Sequence, residues 1–257
     1  MPTQAVIFEQ PLNERIRICL RIESLVERLD RFIALDSEHA AYQALLTVLE
    51  ITALVERGDI KQEIIKELDR QHKVLTALVS HQSVDKSRLE ITLNQLKQAL
   101  NRMHGMDGRL GEHLKAIDFL LAVKQRSVIP GGSCDFDLPQ LRYWLNQPHE
   151  QRRQDIERWS APYRELNRTL TLILKNIRDS ALAEPVDAPK GFFQESLDPA
   201  QPNQMLRIAL DSSDLFPEIS AGKHRYSIRF MRYPDSVDQL PQQIKETVSF
   251  QLMRCTL

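Results

Sequence analysis

No stretch of this 257-residue sequence approaches the roughly 20 consecutive apolar residues that a membrane span requires, so direct membrane insertion is not expected. The opening MPTQAVIFEQPL has no basic segment followed by a sustained apolar run and does not read as a secretory signal. Cysteine is scarce. Cys19, Cys134 and Cys255 lie far apart and one must stay unpaired, which argues against a disulfide framework and for a reducing, cytoplasmic compartment, with all three expected in the core. An excess of one charge is missing too: 34 Lys and Arg stand against 35 Asp and Glu. Polyanion binding draws on a broad cation excess that displaces counterions, so nucleic acid is not an expected partner and any anion site must be local.

Signatures of chemistry are also lacking. The sequence holds no G-x-x-x-x-G-K-[ST], G-x-S-x-G or H-E-x-x-H and no paired C-x-x-C. Glu112 and His113 are adjacent, so they point to different faces of a helix and cannot form an i, i+4 zinc pair. The glycines of HGMDGRLGEH follow a helical pattern and not a strand, which makes them a helix-to-helix turn rather than a phosphate loop. No catalytic residue, metal site or cofactor is expected.

What is present is ordinary globular composition, 42% hydrophobic and 27% charged, with two clear periodicities. Residues 3–9, TQAVIFE, read as one isolated strand. From Asn13 the apolar positions recur at three and four: Ile16, Leu20, Ile22, Leu25, Val26, Leu29, Phe32 and Ile33. Ser37 is a candidate N-cap for a helix through Leu45, Val48, Leu49 and Ile51, and Asp59 with Gln62 for the next. A fourth helix runs from Asp85 to Met103, and GMDG separates it from a fifth over Leu110–Arg126. SVIPGGSCDFDLPQLRYWL then breaks the pattern. Pro130, Gly131 and Gly132 stop a helix, and Asp137 with Gln140, flanked by Phe136 and Leu141, reads as a capping box with its staple. Beyond it, Pro148 can start one helix and Ser160 with Pro162 another, the latter carrying Leu166, Leu170, Ile173, Leu174 and Ile177 as a coiled-coil-like edge suited to another helix.

EPVDAP at residues 184–189 reads as a linker, after which the period changes to two. FFQES, MLRIALD, KHRYSIRFMRY and TVSFQLMRC are predicted strands, with DSSD, ISAGK and PDS as turns. The expected fold is α+β: a helical domain of seven to nine helices over residues 12–183, inserted between an N-terminal strand (1–11) and a small antiparallel β-domain (190–257) that the strand joins.

The cations fall in suggestive places. Lys223, Arg225 and Arg229 share one face of a predicted strand, with His224, Tyr226, Ile228 and Phe230 on the other. That is a solvated face over a packed one, or a docking row for an acidic segment. Arg17 and Arg21 form an i, i+4 like-charge pair that Glu14 and Glu23 can answer. Lys115 and Arg142 flank the central break, where a tight turn could bring both to one surface, and Arg57 in VERGD sits at a helix C-terminus.

FEQPLNERIR with LRIE, ERGDIKQEIIKELDRQ, SVIPGGSCDFDLPQLRYWL and DSSDLFPEISAGKHRYSIRF together resemble the ZapD family of bacterial cell-division proteins over nearly the whole chain. The resemblance implies a cytoplasmic, non-enzymatic, symmetric homodimer recruited to midcell. It also implies a helical core with outlying β-domains, and binding of the division GTPase FtsZ, whose protofilaments it crosslinks and bundles into the Z-ring. It further implies that cations meet the acidic C-terminal tail of FtsZ. Carried onto this sequence they are Arg21 in LRIE, Arg57 in ERGD, Lys115, Arg142 in LRYWL, and Arg225 and Arg229 in KHRYSIRF; Lys223 and Arg17 complete the expected set. The competing reading is an enzyme with its active site in a cleft between the helical and β domains, which would need convergent carboxylates or histidines.

Overall fold

Among the described residues, seven α-helices and eight strands form in the order β1 (Val6–Pro11), α1 (Glu14–Ile33), α2 (Glu38–Val55), α3 (Ile60–Ala77), α4 (Lys86–Gly105), α5 (Asp118–Arg126), α6 (Pro139–Leu145), α7 (His149–Arg178), β2 (Glu184–Ala188), β3 (Phe192–Ser196), β4 (Met205–Leu210), β5 (Phe216–Ala221), β6 (Arg225–Arg232), β7 (Gln242–Gln243) and β8 (Val248–Cys255). This is a computed structural model, and it describes residues 5–82, 84–106, 108–234 and 236–257. Thr3 and Gln4 of the first strand reading, Asp107 of the GMDG turn and Asp235 of the PDS turn lie outside the described residues. The chain divides into two units, one of Ile18–Ile173 and one of the residues up to Arg17 with Leu174–Leu257.

In the helical unit the caps act where the spacing places them. Ser37 Oγ accepts from the Ala40 amide at 3.0 Å, Asp59 from Gln62 at 3.2 Å and Asp85 from Arg88 at 3.1 Å, each satisfying a donor that the first turn leaves orphaned. α2 is apolar over most of its circumference and buries Ala44, Leu45, Val48, Ile51 and Val55. α1 presents Cys19, Ile22, Val26 and Leu29 as a single stripe.

The central break departs from its sequence reading. α6 starts at Pro139 with Leu138 as N-cap and no side-chain cap bond, so Asp137 caps nothing; its carboxylate accepts from Arg126 at 3.3 Å instead. Phe136 stands 85% exposed, which rules out the staple. The turn closes through backbone: the Cys134 carbonyl accepts from both Asp137 and Leu138 at 2.9 Å. Gly132 is required, since a Cβ there would lie 2.3 Å from the Arg126 carbonyl oxygen. Cys134 is exposed rather than in the core, whereas Cys19 and Cys255 are buried.

α7 is one helix of 30 residues that runs through Pro162, not two. A proline inside a helix removes a donor and crowds the preceding turn, at about 3 kcal/mol. Ile156, Trp159, Tyr163 and Leu166, all buried around it, offset that cost, and the Trp159 carbonyl in the preceding turn accepts from His113 Nε2 at 2.9 Å. Tyr163 bonds Thr52 Oγ1 at 2.8 Å, and burial pushes its phenol up to about 12. Both tryptophans sit in this unit, Trp144 and Trp159 packing at 5.8 Å with Phe119 against each. Leu166, Leu170 and Ile173 are 0% exposed within the single chain, so the apolar edge of α7 belongs to the protomer core and is not a free seam for a partner helix.

The β unit contains two antiparallel sheets, β1-β4-β8-β2 and β3-β6-β5, with β7 pairing the end of β6. The N-terminal strand joins as expected, Phe8 opposite Ile208. Residues 184–188 are not a linker: they form β2, Val186 opposite Phe250. Residues 216–221, partly read as a turn, form β5. The two sheets share one apolar cluster, in which Phe250 meets Phe230 at 4.9 Å and Phe193 at 5.7 Å.

Polar side chains tie the cluster's rim. Glu9 accepts from Arg178 twice at 2.8 Å and from Arg207 at 2.9 Å. Burial would raise its pKa, but Arg178 and then Arg207 outweigh this and hold it below the usual value. A depressed carboxyl stabilises the fold above its unfolded pKa and loses that contribution as pH falls through the folded one. Glu9→Gln is therefore expected to lower stability by about 2 kcal/mol at pH 7. The gap to wild type should be constant above the ordinary value of 4.5 and should narrow below it, as read from urea midpoints across pH. A gap that does not change with pH removes the ion-pair account.

Candidate functional site

Alternation along β6 separates two populations of side chains. Tyr226, Ile228 and Phe230 are at most 1% exposed and face the shared cluster, whereas Arg225 and Arg229 are exposed on the opposite face. Four strand residues place those two guanidinium stems about 13 Å apart. Arg229 stands opposite Phe192 of β3 and Glu218 of β5, and Arg225 stands opposite Ser196 of β3. Lys223 is not on the strand face, as the sequence pattern had it, but in the hairpin turn with His224 that joins β5 to β6.

The face is held rigid from behind. Tyr226 donates to Glu195 of β3, and Glu195 also accepts from Arg254 of β8 at 2.7 and 3.1 Å. Arg254 reaches Glu184 of β2 at 2.6 Å, so one network fastens strands of both sheets. Burial works to raise the Glu195 pKa, but Arg254 and Tyr226 prevail and keep it a carboxylate; the Tyr226 phenol is pushed up by burial and by its bond to Glu195. This network lies on the packed side, leaving Arg225 and Arg229 out of it.

The eight cations singled out from the sequence sort by whether an acid already holds them. Arg17 pairs with Glu14, Lys115 lies 3.7 Å from Glu56, and Arg142 lies 3.0 Å from Glu38 and 4.0 Å from Asp135. Arg21, Arg57, Lys223, Arg225 and Arg229 are exposed and have no ion-pair partner among the described residues. Lys115 and Arg142 do not meet on one surface. Their partners Glu56 and Glu38 lie just past the C-terminus and at the N-terminus of α2, which at 1.5 Å per residue are about 27 Å apart.

Lys115 and Arg57 do come together. With Lys61 and Arg109 they line an open cavity of about 450 Å³ between residues 55–62 and 108–115, where Glu56 and Asp59 are the opposing acids. Lys61 is engaged by the Met106 carbonyl. Arg109 was not singled out from sequence, because GRLG reads as a turn and nothing in it announces which cations the turn will gather. Among the described residues no group of three or more His, Cys, Asp or Glu is placed to hold a metal ion, and no helix is long and apolar enough to cross a membrane.

The molecule is thus an α+β protein whose uncommitted cations, among the described residues, stand on a braced sheet face, in two turns and at one exposed helix position. The family model for ZapD, described as a cell division protein, matches residues 20–229. A cell division protein ZapD of Nitrosomonas eutropha is 35% identical over 252 residues, covering 98% of this chain and 100% of the relative. Those of Methylococcus capsulatus and Chromobacterium violaceum are 37% identical over 253 residues and 36% over 251, covering 98% and 97% of this chain and 98% and 99% of the relatives. The chain belongs to the ZapD family, and its role is in cell division.

Proposed function

We propose that this chain is a non-enzymatic, cytoplasmic division factor that binds the acidic C-terminal tail of FtsZ as a homodimer, bundles FtsZ protofilaments and promotes Z-ring assembly at midcell. The observation that carries the reading is the pair Arg225 and Arg229, exposed and without an ion-pair partner among the described residues, on a face that Tyr226, Glu195 and Arg254 brace from behind. Lys223 adjoins them, and Arg21 and Arg57 offer further uncommitted charge in the helical unit. Arg17, Lys115 and Arg142 enter the site by exchanging their internal acids for acids of the tail, so each contributes less.

Valency does the rest. An exposed ion pair contributes about 0.2–1 kcal/mol and is screened by salt, so a single head grips one tail weakly. Two heads on a dimer hold two filaments, and repetition along polymers turns weak contacts into avidity. The test is a pelleting assay with FtsZ polymers carrying or lacking the C-terminal tail. Bundling is expected only with the tail and should fall as ionic strength rises; bundling of tailless polymers would overturn the reading.

A further inference from the structure

The β5–β6 hairpin leaves one strand edge open, and its register says which backbone groups are available there. The Gly222 amide donates to the Arg225 carbonyl at 2.9 Å, and hydrogen-bonded pairs alternate along an antiparallel ladder. Ser220 opposite Ser227 and Glu218 opposite Arg229 are therefore the next bonded pairs. The backbone groups of Ala221, Ile219 and Pro217 point the other way, toward an edge that no strand occupies among the described residues. Pro217 has no N–H, so the donors on offer begin at Ile219.

Among the described residues three further edges exist, at β1, β2 and β3; Arg178 and Arg207 are held by Glu9, and Arg254 by Glu184 and Glu195, while the β3 edge shares Arg225 and Arg229 of the central strand β6 with β5. Ser196 and Phe192 stand between those two arginines and the β3 edge, whereas Lys223, in the turn that ends β5, has no ion-pair partner among the described residues and adds a third cation at the β5 edge. Gly222, across from Arg225, puts no side chain between that arginine and the edge, whereas Glu218 stands between Arg229 and the edge.

We propose that the free edge of β5 receives an extended acidic peptide as an added strand, paired through the backbone of Ile219 and Ala221, with its carboxylates beside Lys223, Arg225 and Arg229. This deepens the tail-binding reading above and rests on it. Strand addition takes affinity from main-chain hydrogen bonds and specificity from side chains at alternate positions. Acids four residues apart on the incoming strand match the spacing of the two arginines. Glu218 then acts as a brake, repelling the same acids that Arg229 attracts.

The test titrates the full-length protein with a synthetic peptide of the FtsZ C-terminal tail and follows amide hydrogen exchange. The Ile219 and Ala221 amides are expected to become protected on binding. Ala221→Pro, which removes an outward donor without touching the bonds to β6, should weaken the peptide about ten-fold. Glu218→Gln should tighten it. Equal binding by wild type and Ala221→Pro with both amides still exchanging freely overturns strand addition while tail binding stands. No binding by wild type removes both. Protection in the wild-type complex keeps the test decisive even if Ala221→Pro folds poorly.

Discussion

Leu170→Asp is expected to abolish cooperative folding of the helical unit. Leu170 is 0% exposed on α7, with Leu166 and Ile173 equally buried on the same face. Removing the leucine side chain alone costs about 2–5 kcal/mol, and burying an unpaired carboxylate in its place costs several kcal/mol more. The sum is comparable to the whole stability of a typical domain, about 5–15 kcal/mol. Leu170→Met, which conserves volume, should cost less than about 1.5 kcal/mol and keep the transition. Far-UV circular dichroism during urea titration distinguishes the two. A native-like Leu170→Asp protein would mean that the α7 edge is not in the core.

Reversing Arg225 and Arg229 together to glutamate is expected to abolish co-sedimentation with FtsZ polymers while keeping a cooperative urea transition, its midpoint lowered only slightly because the new carboxylate at 229 faces Glu218 across the strands. Neither guanidinium has an ion-pair partner to lose among the described residues, and Tyr226, Ile228 and Phe230 keep their packing. Each reversed pair exchanges an attraction of about 0.2–1 kcal/mol for a comparable repulsion, so two of them weaken one head about ten-fold or more. In the proposed dimer a crosslink needs both heads, and the expected loss for bundling is then about a hundred-fold. The same reversal at Lys115 or Arg142 should cost less binding, because Glu56 and Glu38 already compete for those cations. Unchanged pelleting of the double variant would remove the β6 face from the site.

What the sequence hid follows a pattern. EPVDA, read as a linker, and FPEISA, of which ISA was read as a turn, are β2 and β5, and both are sheet edges that contain a proline, Pro185 and Pro217. A central strand has no slot for a residue without an amide, but an edge does, so proline that argues against a strand in the middle of a sheet is at home on its rim. Pro162 misled for a related reason: tertiary burial of Trp159 and Tyr163, and a bond from His113 some 46 residues away, are invisible to local spacing. By contrast, alternation along Arg225–Phe230 was legible because one face must be dry and the other wet. The shared face of Arg225 and Arg229 was legible too, but Lys223 falls in the turn, Lys115 and Arg142 lie apart, and which cations an acid already holds was only partly legible. Glu14 on Arg17 follows from helix spacing, but only the fold reveals that Glu38 and Glu56 hold Arg142 and Lys115, leaving five of the eight without an ion-pair partner among the described residues.

The pairing of Trp144 with Trp159 has a practical consequence, since these are the only two indoles in the chain and both belong to the helical unit. Their emission will report that unit alone, while the sheets, lit only by tyrosine, stay dark under red-edge excitation. A denaturation curve read by fluorescence and one read by peptide absorption can therefore be compared directly. Any offset between them measures how independently the two halves come apart.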